Sequence, residues 1–297
     1  MKNSVTNMIQ RKIEQVSNHS LQQGFLGTGH QAAQIVGSQG FEFTDPFVVL
    51  MDDQLNLPGT EIAGGQHPHA GIEIYTLVLE GNDEIFRKGN MELMTAGKGV
   101  VHADEIKEKT QVRILQLWVS LPPEKRWTAP FLQSIDLENV PTLKAKDSVI
   151  RVYSGNAFGL SSPLVNNTPI TIVDFSLAEN VEVTQHIPSS YNGFIFVSEG
   201  SVFVGDTEIK ANQSGWLNKS GQSGESEITY KAGNEGTRFV FYAGEPTNAP
   251  IVSHGPFVAD TQDEIRGLYR AYRNGEMKHI KTHPSRHFTS KQGKTIN

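Results

Sequence analysis

No cysteine occurs in the 297 residues, and that absence removes disulfides, thiolate metal ligands and cysteine nucleophiles at one stroke. Any transition metal held by this chain must rely on histidine and carboxylate. No apolar run approaches the ~18 residues of a membrane span. The stretch Met1–Gln23 is polar, with nothing resembling a signal peptide. The expectation is therefore a cytoplasmic protein without membrane association. Basic clusters are missing as well: Lys and Arg are scattered and the formal net charge is −6. An electrostatic footprint for nucleic acid is absent, so protein partners fit this chain better than DNA does.

What is abundant is punctuation. Gly at 28 positions and Pro at 14 separate many short runs rich in β-branched, aromatic and Leu residues. Gly71–Glu80, Arg113–Leu121, Ile170–Phe175, Gly193–Val197 and Arg238–Tyr242 are such runs, and together they predict an all-β sandwich or barrel architecture. Pro122–Pro141 is richer in Pro and charge, which suits a linker and places a boundary near residue 140. Near the C-terminus, Thr261 and Glu264 have the spacing of a capping box. Ile265, Leu268, Tyr269 and Tyr272 follow at helical spacing, and Gly275 ends the helix. This helix is expected to pack on a barrel as a lid or buttress. A second, weaker helix is read around Ile9–Val16.

A repeat organises the middle of the chain. His67-Pro68-His69 leads through a strand to Glu80-Gly81, and His186-Ile187-Pro188 leads through a strand to Glu199-Gly200, with fourteen residues from the histidine to the second glycine each time. The pattern reads as two barrels from a duplication. In the second copy Pro188 stands where His69 stands, and Ser220 falls near the place of a partner for His102, so the second barrel is expected to lack a metal site. The resulting division is an N-terminal extension 1–24, a metal-binding barrel 25–140, a second barrel 141–280 and a tail 281–297.

The chemistry lies in the first copy. If His67-Pro68-His69-Ala70-Gly71-Ile72-Glu73 opens a strand, its odd positions share a face, so His67, His69 and Glu73 point together. Two imidazoles so placed can chelate one ion. Gly97-Lys98-Gly99 makes a tight turn into a further strand, on which His102 and Asp104 share a face and Glu105 takes the other. Three imidazoles and a carboxylate suit iron, manganese, copper, nickel or cobalt. An isolated H-x-H is more often a pair of loop histidines than a ligand pair, but H-P-H, the E-G turn and G-x-G-x-x-H occur here in order. His186 is read as a relic or a satisfied strand-end residue, and Trp118 as core. Gln116 shares a strand face with Trp118 and could border a cavity. His279, His283 and His287 are read as solvated tail, because Pro284 interrupts their helical spacing.

The segments HPHAGIEIYTLVLEG and MTAGKGVVHADE resemble the signature of the pirins, a family of bicupins. The resemblance continues through TDPFVVLMDD, LQLWVSLP and the segment 243–275. It implies two cupin-type (jelly-roll) β-barrels with a C-terminal helix. It also implies one transition metal, Fe(II) first, in the N-terminal barrel, held by His67, His69, His102 and Asp104. Three departures stand out. Asp104 is shorter than the family's usual Glu, leaving Glu73 as an alternative ligand or base. Ala70 occupies a position commonly Arg, and the interval from Gly81 to Gly97 lacks part of a hairpin. The activity implied is that of a quercetin 2,3-dioxygenase, acting on a flavonol-like aromatic substrate and O2, with Asp104 or Glu73 as the base. A second implication is a redox-sensing regulator that binds protein partners without turnover. A third is a sugar- or small-molecule-binding cupin with an incidental metal.

Overall fold

The structure is a computed structural model and describes residues 8–60, 62–81, 86–103, 106 and 108–280. Two large sheets dominate. The first has seven strands in the order Phe131–Ile135, Met91–Thr95, Ile72–Glu80, Thr110–Ser120, Phe47–Leu57, His30–Val36 and Gln22–Gln23. The second has ten strands, centred on the long strand Glu225–Gly244, which pairs with Ile170–Leu177, Glu182–Pro188 and Asn192–Val204. A small third sheet, Lys278–His279, Val100–Ala103 and Gln66–His69, carries the histidines. All five β-runs picked out by composition lie on strands of the two large sheets.

The period-two alternation of these strands divides their side chains between two interiors. On Ile72–Glu80, Tyr75, Leu77 and Leu79 join Leu115 and Leu117 in a core shared with Phe194, Phe196, Trp216 and Tyr242 of the other half. The even positions Ile74 and Thr76 face the first half's own cavity. Likewise Ile195, Val197, Phe239 and Phe241 turn inward to fill the second half, with Phe175 and Tyr230. Each of these buried side chains contributes on the order of 1.5–3 kcal/mol of apolar burial. The two barrels are thus cemented face to face by a common apolar layer.

The ends of the chain cross over. Ile9–Gln10 pairs in parallel with Ser226–Glu227, and Ile13–Asn18 pairs with Gln213–Leu217, so the N-terminal segment completes the second sheet. The helix read around Ile9–Val16 is therefore replaced by strand, because sheet pairing and burial of Arg11 outweigh weak local propensity. At the other end, Lys278–His279 pairs in parallel with Val100–Val101 of the first half. The helix Gln262–Arg273 forms with its capping box, Thr261 accepting from the Glu264 N–H and Glu264 from the Thr261 N–H. Ile265 and Leu268 pack with Phe257 and Met277 against Ala70 and Val101, so it buttresses the histidine sheet rather than the second barrel. The stretch Pro122–Pro141 is likewise no free linker. It supplies the edge strand Phe131–Ile135 and a buried Arg126 whose Nε lies 3.0 Å from Asp260.

Candidate metal centre

Antiparallel pairing sets His67 directly opposite His102 and His69 opposite Val100. The turn that feeds the second strand depends on Gly97: a Cβ there would sit 2.1 Å from the Thr128 carbonyl oxygen, at a φ of 49°. Two residues past the strand Gln66–His69 stands Gly71, where a Cβ would lie 1.8 Å from the Val258 carbonyl oxygen. Backbone from the C-terminal segment therefore presses on the histidine strand from outside, which only glycine permits.

The three imidazoles converge. Their ring centroids are 4.2 Å apart for His67 and His102, 4.9 Å for His67 and His69, and 5.1 Å for His69 and His102. One ring nitrogen from each lies within 4.8 Å of the others. His69 and His102 are buried and His67 is half-buried. The Nδ1 of His67 stands 2.9 Å from the Gly65 carbonyl oxygen. A carbonyl only accepts, so Nδ1 carries the proton and Nε2 keeps its lone pair, the arrangement by which outer contacts orient a metal-binding imidazole. Trp118 packs edge-on against His69 at 4.9 Å and donates from its indole nitrogen to Gln116 Oε1 at 3.2 Å. This donor set, nitrogen-rich and free of sulfur, fits a first-row transition ion. Among the described residues it is the one such cluster.

The rings of His67 and His102 line a cavity of about 140 Å³ between the small sheet and the seven-stranded sheet, with His69 buried behind them. Its wall is apolar, with Leu55, Ile74, Met94, Ile106 and Ile114, interrupted by Asp53, Thr76, Glu92 and Gln116. Gln116, Thr76 and Glu92 sit on three neighbouring strands in paired register. Phe25, exposed over 89% of its surface, stands at the mouth.

Glu73 is placed elsewhere. Its carboxylate is fully buried and accepts from Thr95 Oγ1 at 2.9 Å, from Asn167 Nδ2 at 2.8 Å, and from the backbone N–H groups of Asn167 and Thr168. The alternation that put it beside His67 and His69 fails because one strand stops at His69, before Gly71, and the next belongs to a different sheet. Glu73 instead shares the face of Tyr75, toward the second barrel, and does not line the cavity. Asp104 lies outside the described residues, as do His283 and His287. His279 is exposed in its short strand, and Ala70 is buried against Phe257.

In the second barrel His186 is 57% exposed at the side chain, with Nε2 3.4 Å from Glu227. Its register partner is Glu227 rather than Ser220, whose hydroxyl bonds the Ser189 carbonyl in a loop. The inward positions on that strand are Gln185 and Ile187. Two cavity groups escaped the sequence reading, His30 and Asp53. Only the acidic pair Asp52-Asp53 inside the strand Phe47–Leu57 signalled them, since an acidic residue facing inward there needs a function or a partner.

Residues 27–119 match the family model described as Pirin, and residues 172–278 match the Pirin C-terminal cupin domain. Pirin from Rattus norvegicus is 30% identical over 262 residues, covering 84% of this chain and 88% of that protein. A pirin-like protein of Arabidopsis thaliana is 30% identical over 295 residues, covering 92% and 93%. Among solved structures, a quercetin 2,3-dioxygenase from Acinetobacter baumannii shares 26% identity with a TM-score of 0.77, over 90% of this chain and 98% of that one.

Proposed function

The chain belongs to the pirin family and is a bicupin, and from that premise we propose that it is a metal-dependent dioxygenase acting on a flavonol-like phenol. The observation that carries the proposal is the convergence of His67, His69 and His102, two of which, His67 and His102, line a cavity with an open mouth. These three residues would hold the ion, Fe(II) in the first instance and Mn, Cu, Ni or Co as alternatives, with Asp104 as a fourth donor. When bound, the ion supplies Lewis acidity toward a substrate oxygen and a path for electrons to O2.

The chain's own residues set the conditions for that chemistry. The apolar wall excludes water, which strengthens every charge interaction inside. At about 140 Å³ the cavity is smaller than the ~300–1,000 Å³ clefts that enclose drug-sized ligands. One phenolic ring enters it, and the remainder of a larger substrate rests at the mouth beside Phe25.

Elemental analysis of protein purified without added metal, followed by oxygen uptake with a flavonol panel after anaerobic iron loading, tests the proposal. Near-stoichiometric iron and uptake abolished by His102→Ala are expected. The loss exceeds the ~10–100-fold that removal of even an outer partner of a metal ligand costs. Absence of uptake with every flavonol rejects the enzyme reading. The small cavity favours one second reading, in which the loaded barrel senses redox state and binds a protein partner without turnover. Capture of one defined partner by only one oxidation state of the iron-loaded protein distinguishes it.

A further inference from the structure

Opposite the histidines, His30 and Asp53 form a dyad that no ligand set accounts for. His30 is 1% exposed, and its Nε2 lies 2.8 Å from Asp53 Oδ1. Its Nδ1 lies 3.2 Å from the Leu26 backbone nitrogen, which can only donate, so Nδ1 is the bare nitrogen and Nε2 carries the proton. The imidazole is thus a neutral donor fixed on Asp53, in the manner of an orienting group behind a working one. Phe25 packs edge-on against the ring at 5.4 Å and holds it from the other side. Space is tight there as well: a Cβ on Gly24 would fall 2.3 Å from the ring.

Asp53 reaches the cavity. Its side chain is 13% exposed and lines the same space as His67 and His102. Oδ1 is taken by His30, whereas Oδ2 has no hydrogen-bond partner among the described residues. An accessible carboxylate oxygen in a mostly apolar cavity is a ready acceptor for a donor that enters it. Asp52, its neighbour, shows the contrast: it faces the other way and is satisfied by Arg113 through two bonds of 2.9 Å.

We infer that Asp53 is the acceptor for a hydroxyl of the bound phenol, and that His30 is the residue that positions it. Asp53 Oδ2 takes the O–H, which selects ligands with a free hydroxyl and fixes which edge of the ring turns toward the histidines. The inference rests on reading the cavity as a phenol site and adds the specificity-determining residue.

Ligand-detected NMR titrations of phenol and anisole against the full-length protein, with and without added Zn(II), test it. A site that accepts a hydrogen bond on a charged group prefers phenol by about tenfold or more, and Asp53→Leu reduces that preference to about twofold or less. His30→Gln, whose amide nitrogen can stand where Nε2 stands, keeps the preference, and His30→Leu erodes it. A merely structural His30 would make these two variants alike. Equal affinity for phenol and anisole in the wild-type protein, including failure of both to bind, overturns the inference without recourse to any variant. A preference that survives Asp53→Leu does so too. Lack of oxygen uptake with flavonols while the Asp53-dependent preference persists rejects the oxygenase reading alone.

Discussion

Glu73 takes hydrogen bonds from three side chains, those of Tyr75, Thr95 and Asn167, and from two backbone N–H groups, a burial that is tolerable only while all of them are made. Glu73→Ala leaves those donors facing an empty space, and a loss of about 3 kcal/mol is expected in urea unfolding. Metal content stays at the wild-type level. His69→Ala gives the opposite pair of results, lost metal with smaller loss of stability, so the two measurements separate a latch from a ligand. The three histidines were legible because their evidence is local: two share one strand, and the third follows a glycine turn. Glu73 was misread because parity was carried through Gly71, where the chain changes sheets. Asp53 was not read at all, since its partner His30 sits on an adjacent strand at no diagnostic spacing.

Between elements, the segment Ile9–Asn18 closes the second sheet, and Arg11 is its anchor. The Arg11 guanidinium donates to the Asn218 carbonyl at 2.9 Å from Nε and to the Tyr191 carbonyl at 3.1 Å from Nη1. Burial lowers its pKa from the ordinary value, with no carboxylate among these acceptors to offset it. Arg11→Ala is expected to cost about 2–3 kcal/mol and to open the Ile9–Asn18 segment to limited proteolysis. Arg11→Lys does not restore it, because a single ammonium cannot span the forked acceptors. The helix Gln262–Arg273 was legible through its capping box, which is written in neighbouring residues. The N-terminal strands were not, because their partners lie some two hundred residues away and local propensity is silent about such pairings.

Across the whole molecule, His19 joins the halves: Nδ1 donates to the Gln34 carbonyl of the first sheet at 3.1 Å, and Nε2 accepts from Ser214 Oγ of the second at 2.8 Å. Burial lowers its pKa below the ordinary value near 6.5, the carbonyl bond opposing in part. The folded chain therefore binds fewer protons here than the unfolded chain does. The contribution is present above about pH 6.5 and declines as pH falls below it. Unfolding midpoints at about pH 8 and about pH 5.5 show this as a slope that His19→Gln makes shallower. The repeat made two barrels legible, and the chain passes from the first large sheet to the second between Ile135 and Thr142, but Ile9–Asn18 and Lys278–His279 pair across that division. Fragments 1–140 and 141–297 are each expected to be insoluble alone and to recover structure only when co-expressed, as judged by gel filtration.

Because Gly71 is pressed by Val258 and Val100–Val101 by Lys278–His279, the outer wall of the histidine sheet is made of the last-translated part of the described chain. On the ribosome, the imidazoles emerge early and stay roofless until residue 280 has been synthesised and has cleared the exit tunnel. The candidate metal pocket is therefore walled only when the C-terminal part of the described chain folds back over one of its earlier strands.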